Sequence, residues 1–270
     1  MRIAAALAIA CVLGTSLAAA QSARTYYGFD KDSYPGDALL PELHQHFTFT
    51  GYWLNNPPGM SSNPWVGKRS VVRAAGLGFL ILFNGRLDAE LKGHDAAALG
   101  RADGAAAIAA AKREGFPAGA VIFLDQEEGG ALLLEQASYL GAWFAAVVRS
   151  KYRAGIYCSG IPAPAGKIMM STAQDVEARF PAVRLWVWND TCPPAPGCAL
   201  PQDGLNPAKS GFSGALVWQY AQSPRRDEDT KACRTTYAAD GRCYAPGLPR
   251  SEESYIDLDV SRSADPSHGR

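Results

Sequence analysis

Eight runs of apolar, β-branched or aromatic residues recur along the chain, and what separates them changes partway. The runs are Tyr26–Asp30, Phe47–Leu54, Gly78–Asn84, Ala120–Asp125, Ala154–Cys158, Arg184–Asn189, Ala215–Tyr220 and Ser254–Val260. Between the first six lie stretches of helical character: Asp37–His46, Trp65–Ala75, the Ala-rich Asp95–Glu114, Ala131–Lys151 and Pro164–Phe180. In the fourth of these, Leu133, Ala137, Leu140 and Phe144 recur near the helical period. The helices then stop. Thr191–Ser213 and Gln222–Glu253 hold Pro, Gly, Cys and charge with no sustained period. Strands joined by helical crossovers predict a parallel sheet of the α/β class. Eight of them predict a TIM-like barrel, irregular here: five β/α units followed by three strands with long loops. An open doubly wound sheet is the alternative.

The first twenty residues read as a leader. Arg2 supplies a positive start, Ile3–Leu17 is apolar, and Ala18-Ala19-Ala20 before Gln21 fits a cleavage site. The apolar stretch is short for a membrane span. Residues 1–20 are therefore expected to be a signal peptide and 21–270 a single barrel domain. The mature protein would be secreted or periplasmic, with no stable membrane insertion, and a monomer. Removing Arg2 from 26 basic residues leaves 25 against 26 acidic ones. Such a balance gives no electrostatic hold on nucleic acid.

Five cysteines follow the leader: Cys158, Cys192, Cys198, Cys233 and Cys243. Export makes bridges plausible chemistry. Cys192–Cys198 and Cys233–Cys243 would each close a short loop, although four cysteines allow three pairings. Cys158 ends an apolar run and is expected to be a buried free thiol.

The run Val121–Leu124 ends in Asp125-Gln126-Glu127. A buried parallel strand reads as a continuous apolar run, so the two acids stand at the tip of a core strand, where α/β folds bind ligands. Residues i and i+2 of a strand share a face. Two carboxyls held that close have pKa values that split, and one acid with one base is the equipment for cleaving a glycosidic bond. The other strand tips also carry polar or aromatic groups. These include Asp30, Tyr52-Trp53-Leu54-Asn55, Asn84, Tyr157, Trp186-Val187-Trp188-Asn189-Asp190, Trp218-Gln219-Tyr220, Asp257 and Asp259. Rings beside carboxyls suit sugars, whose C–H faces stack while their hydroxyls bond polar groups.

Gly28-Phe29-Asp30, Leu124-Asp125-Gln126-Glu127, Gly155-Ile156-Tyr157, Leu185–Trp188, Trp218-Gln219-Tyr220 and Ile256–Asp259, taken in this order, resemble the motifs of the family 25 glycoside hydrolases. These are the secreted N-acetylmuramidases. The chain is more closely similar to the bacterial glycoside-hydrolase-like domain proteins related to them. The resemblance spans nearly the whole mature chain. It implies Glu127 as general acid and Asp125 as the carboxylate that orients the substrate's acetamido group or acts as nucleophile. Asp30 and Asp257 match the acids flanking the cleft, and Tyr157, Trp218, Gln219 and Tyr220 match sugar contacts. Trp188, Asp190, Asn84 and Asp259 are further candidates for substrate contact from their places near strand tips. The sixth strand's Trp188-Asn189-Asp190 ending and the two cysteine loops depart from the muramidase pattern.

The expectation is a secreted hydrolase of a β-1,4-linked cell-wall glycan, peptidoglycan first, with no cofactor and no metal. A non-catalytic glycan-binding or cell-envelope protein on the same barrel is the alternative; it would keep the aromatics without needing the acids. A metal hydrolase is third, because carboxylates could hold Mg²⁺ or Ca²⁺. The four histidines, His44, His46, His94 and His268, are too scattered for zinc.

Overall fold

The protein, described by a computed structural model over residues 24–270, is built around a closed eight-stranded barrel. The expected leader, residues 1–20, lies outside the described residues. The strands are β1 (Tyr26–Asp30), β2 (Phe49–Trp53), β3 (Gly78–Asn84), β4 (Val121–Asp125), β5 (Arg153–Ser159), the small hairpin β6 (Ala163–Ala165) and β7 (Ile168–Met170), β8 (Arg184–Trp188), β9 (Val217–Ala221) and β10 (Asp257–Ser261). Around the barrel the order is β1-β10-β9-β8-β5-β4-β3-β2, with the hairpin apart. The closed sheet excludes the doubly wound alternative.

The helices are α1 (Leu40–His44), α2 (Arg69–Ala74), α3 (Asp88–Leu91), α4 (Ala96–Arg113), α5 (Leu134–Val148) and α6 (Thr172–Arg179). Among the described residues no helix is long and apolar enough to cross a membrane. Local chemistry sets several ends. The Asp95 carboxylate accepts from the Ala98 N–H and starts α4. Ser171 and Gln174 cap the start of α6 reciprocally. The sequence expectation of a helix from Pro164 onward fails for its first turns. Gly166 sits at φ 64°, and its turn folds Ala163–Met170 into the hairpin before α6 begins.

Seven barrel strands run parallel, and β10 is antiparallel to both of its neighbours, β9 and β1. The cause is the missing helix after β9. A helical crossover would return the chain to the bottom of the barrel. The loop from Gln222 instead stays on the upper face, so β10 enters from the top and runs down. Its first residue, Asp257, pairs with Asp30, the last residue of β1, and Asp259 pairs with Gly28 one layer lower.

The two long loops leave β8 and β9, parallel neighbours, at the same end of the barrel. They pack on each other, as the bond from the Cys192 N–H to the Asp229 carbonyl shows at 2.9 Å. This overturns the expected short-range bridges. The pairs are Cys192–Cys233 and Cys198–Cys243, with sequence separations of 41 and 45. The nearest thiol to each cysteine of the first loop lies in the second loop, not six residues along the chain. Cys158 is free and buried.

Loops of this length restrict the unfolded chain more than short ones do, by about 4 kcal/mol per bridge in the chain-entropy account. Non-reducing peptide mapping is expected to recover Cys192 with Cys233 and Cys198 with Cys243. Reduction is expected to lower the melting temperature by many degrees. Recovery of Cys192 with Cys198 would contradict the fold of the upper face.

Candidate active site

Strand alternation turns Asp30, Trp53, Leu82, Asp125, Tyr157, Trp186, Gln219 and Asp257 to the barrel interior, where they line a pocket of about 110 Å³ together with Asp32, Pro58, Glu127 and Gln222. The Phe123 and Tyr157 rings pack edge-on against Trp186, with centroids 5.9 and 4.8 Å away. Room for the acids comes from a side chain that is missing. A Cβ on Gly51 would stand 2.6 Å from the Asp30 Cβ, so glycine there lets Asp30 turn inward.

The acids differ in their partners. Asp30 accepts a 2.9 Å bond from the Gln219 amide, and Gln219 in turn accepts from the Tyr157 hydroxyl at 2.6 Å and the Gln222 amide at 3.0 Å. Asp257 accepts from the Ser223 N–H at 2.6 Å. Asp125 is 3 % exposed, and both of its oxygens lack a donor among the described residues. The Asp125 and Glu127 carboxyls are neighbours in the pocket, and each shifts the protonation of the other. Glu127 is exposed as a residue and lines both the pocket and the adjoining groove.

Burial raises these groups. Burial first, and then the charge of Glu127, holds Asp125 well above the usual carboxylate range. Glu127 is raised by enclosure, offset by its contact with Asp125 and by the Arg226 cation. Burial and neighbouring Asp30 hold Asp257 and Asp259 well above that range. Among the described residues no group of three or more His, Cys, Asp or Glu side chains is disposed to hold a metal ion.

The structure gathers Asp30, Asp125, Glu127, Asp257, Tyr157 and Gln219 into one pocket. Trp188 lines the adjoining groove with Glu127, Gln222 and Arg226, its ring lying 4.2 Å beneath the Arg226 guanidinium. The other expected contacts stand elsewhere. Trp218 and Tyr220 alternate with Gln219 and so face outward, under the long loops. The Trp218 indole donates to the Asn189 carbonyl at 2.7 Å and the Tyr220 hydroxyl to Ala199 at 3.3 Å. Asp190 is buried in an ion pair with Arg226. Asn84 is bonded to Asn55 and Asn56 beside a different depression. Asp259 shares the face of Asp257, but β10 runs downward, so it lies below the pocket and accepts from the Trp186 indole at 2.9 Å.

The sequence offers Trp53 and Trp186 only as aromatic groups at strand tips and does not single out Asp32, Gln222 or Arg226. Asp32 carried a usable signal: Asp30-Lys31-Asp32 repeats the spacing of Asp125-Gln126-Glu127. Nothing local marks Gln222 and Arg226, which reach the site only because their loop folds over the mouth.

A family model described as Rv2525c-like, glycoside hydrolase-like domain matches residues 48–192, which is 145 of the 270 residues. Among solved structures, an uncharacterized B. stearothermophilus protein aligns at TM-score 0.54 and 19% identity, over 87% of this chain and 95% of that chain. A family 25 glycosyl hydrolase from Bacillus anthracis aligns at 0.51 and 13%, over 88% of this chain and 89% of that one. The Tat-secreted protein Rv2525c of Mycobacterium tuberculosis, in complex with L-tartrate, aligns at 0.51 and 11%, over 88% and 95%. Identities this low establish a shared fold. No curated protein matches the sequence.

The buried acids make stability depend on pH in a definite direction. Their values in the folded protein lie above the unfolded value of about 4, so the fold holds protons that the unfolded chain has lost. The stabilisation is complete below about pH 4 and drains away as pH rises through the raised values. Each such proton costs up to about 1.4 kcal/mol of stability per pH unit across that window. Asp259→Asn, which keeps shape and supplies a permanent donor towards Asp30, is expected to flatten the fall in urea midpoint between pH 5 and pH 8. An unchanged slope would mean that Asp259 is ionised in the fold.

Proposed function

The chain belongs to the Rv2525c-like, glycoside hydrolase-like domain family, and from that premise we propose that it hydrolyses a β-1,4-linked cell-wall glycan, with peptidoglycan the first candidate. The observation that carries the reading is the pairing of Asp125 and Glu127 at and just past the tip of β4, lining one pocket with Trp53, Tyr157 and Trp186. Burial raises both carboxyls, so the pair holds a proton in position for transfer. Glu127, at the open edge, delivers it to the glycosidic oxygen as the bond to the anomeric carbon breaks.

Asp125 serves in this reading as the proton partner of Glu127 and as an acceptor for a substrate N–H. Its two unpartnered oxygens leave room for such a donor, and an acetamido group supplies one. Its burial and its raised pKa fit neither a free nucleophile nor a base. The Trp53, Tyr157 and Trp186 faces and the Trp188 groove are suited to the C–H faces of sugar rings. Asp30 and Asp257, held by Gln219 and Ser223, complete the mouth. The chemistry described needs no cofactor.

The binding-module alternative loses part of its basis, since Trp218 and Tyr220 pack under the loops. What favours the enzyme is the retention of acids in a site where their burial is costly. Action outside the cytoplasm fits the two disulfides and the Ala18–Ala20 cleavage pattern. The shared fold of the Tat-secreted Rv2525c points the same way. A monomeric, soluble mature protein completes the proposal.

Zymography on several purified peptidoglycans, with a reducing-sugar assay alongside, tests it. Glu127→Gln keeps shape and removes the transferable proton, so turnover is expected to fall about 10²–10⁴-fold while glycan affinity, measured calorimetrically, survives. Asp125→Asn is expected to lower turnover as well. No lysis by the wild type, or equal turnover in wild type and Glu127→Gln, would overturn the reading.

A further inference from the structure

Hydrolysis by an acid at Glu127 leaves open which group handles the water. A base for that step must be ionised, reachable by water and set across the sugar from the acid. Glycosidases that invert hold the two carboxyls roughly 6.5–9.5 Å apart to admit that water. Asp125 fails, because it is buried and stands beside Glu127 at the end of the same strand rather than across the site from it. Asp30 fails because it is buried, bonded to Gln219 and in contact with Asp259. Asp257 fails because the Ser223 N–H holds one of its oxygens and partial enclosure keeps its carboxyl well above the carboxylate range.

One carboxylate of the pocket remains. Asp32 lies two residues beyond Asp30, at the rim above β1, and is exposed to the cleft. Among the described residues no protein donor bonds its side chain. In the barrel order β2 and β3 separate β1 from β4 on one side, and β10, β9, β8 and β5 separate them on the other. Asp32, just past the end of β1, thus stands across the mouth from Glu127, just past the end of β4. The two carboxyls line the same cavity, and Asp32 feels the charge of Glu127.

We infer that Asp32 is the base that activates the hydrolytic water and that cleavage inverts the anomeric centre. This rests on the reading of Glu127 as the acid. In one step Asp32 takes a proton from water, the water oxygen bonds to the anomeric carbon, the bond from that carbon to the glycosidic oxygen breaks, and Glu127 protonates the departing oxygen. Asp32 ends protonated and Glu127 ionised; exchange with solvent restores both. A β-linked substrate yields the α-anomer. Partial enclosure, followed by the charges of Asp30 and Glu127 and opposed by Lys31, pushes the Asp32 carboxyl up to about 6. It therefore remains mostly ionised at neutral pH while gaining basicity.

The test uses the whole mature protein and peptide-free peptidoglycan glycan oligomers. Proton NMR of the first product formed by the wild type is expected to show the α-anomer, and this readout needs no variant. Asp32→Asn is expected to lower kcat about 10²–10⁴-fold with KM changed less than about threefold. Azide, which needs no base, is expected to restore turnover as the α-glycosyl azide. That rescue is not expected of a residue with only a structural role. A first-formed β-anomer overturns the inference while leaving the hydrolase reading standing, as does Asp32→Asn turnover within about threefold of wild type. Absence of hydrolysis by the wild type overturns both.

Discussion

A carboxyl group on the inner face of a closed barrel has no route to water except through the mouth. The organisation of the upper half of this protein follows from that constraint. Six acids, Asp30, Asp32, Asp125, Glu127, Asp257 and Asp259, stand in or just below one opening, and the nearby cations are spent elsewhere. Lys31 donates to the carbonyls of Glu252 and Glu253 at 2.8 and 3.1 Å, and its own ammonium is pushed down to about 8, chiefly by burial. Arg226 is shared between Asp190 and Asp229. With these cations engaged mainly by other partners, the acids are stabilised largely by protons and by dipoles from Gln219, Ser223 and Trp186. Such a site repels anions and accepts neutral, hydroxyl-rich ligands, which is the character expected of a glycan cleft.

The barrel and the strand tips were legible because burial imposes a pattern on sequence. Continuous apolar runs announce parallel strands covered on both faces, and an acid ending such a run is unusual enough to notice. Asp125, Glu127, Asp30 and Tyr157 stood out for that reason. Phase and direction were harder. Trp218-Gln219-Tyr220 looks like a cluster of three sugar contacts, but a strand turns alternate residues to opposite faces. Only Gln219 points inward, and the two large rings cover the barrel's unhelical flank. Asp257 and Asp259 look equivalent until β10 is seen to run downward. One then belongs to the mouth and the other to the layer beneath.

What sequence could not supply was contact between segments with no periodicity. The loops after β8 and β9 carry no repeating pattern, so their mutual packing, the Cys192–Cys233 and Cys198–Cys243 bridges and the placement of Gln222 and Arg226 had no local signature. Short-range pairing was the economical guess for cysteines six and ten residues apart in the sequence. It fails because neighbouring parallel strands release their loops at the same end, so spatial proximity outranks proximity along the chain.

The loss of the last helices therefore has a consequence for the site itself. In a regular β/α barrel the outer helices bury the flank of every strand, and the mouth is assembled from short loops. Here the flank of β9 is covered by the first long loop, which receives bonds from Trp218, through Asn189, and from Tyr220. The second loop crosses the top and delivers Gln222 to Tyr157 and Gln219, Ser223 to Asp257, and Arg226 to the Trp188 ring. The same segment thus covers the barrel and furnishes part of its mouth. A loop of that length would be costly to order by contacts alone. Two covalent ties to its neighbour and the Asp190–Arg226 ion pair hold it over the acids instead. The bridges belong to the architecture of the site as much as to the stability of the fold, because they restrain the groups that orient Tyr157, Gln219 and Asp257.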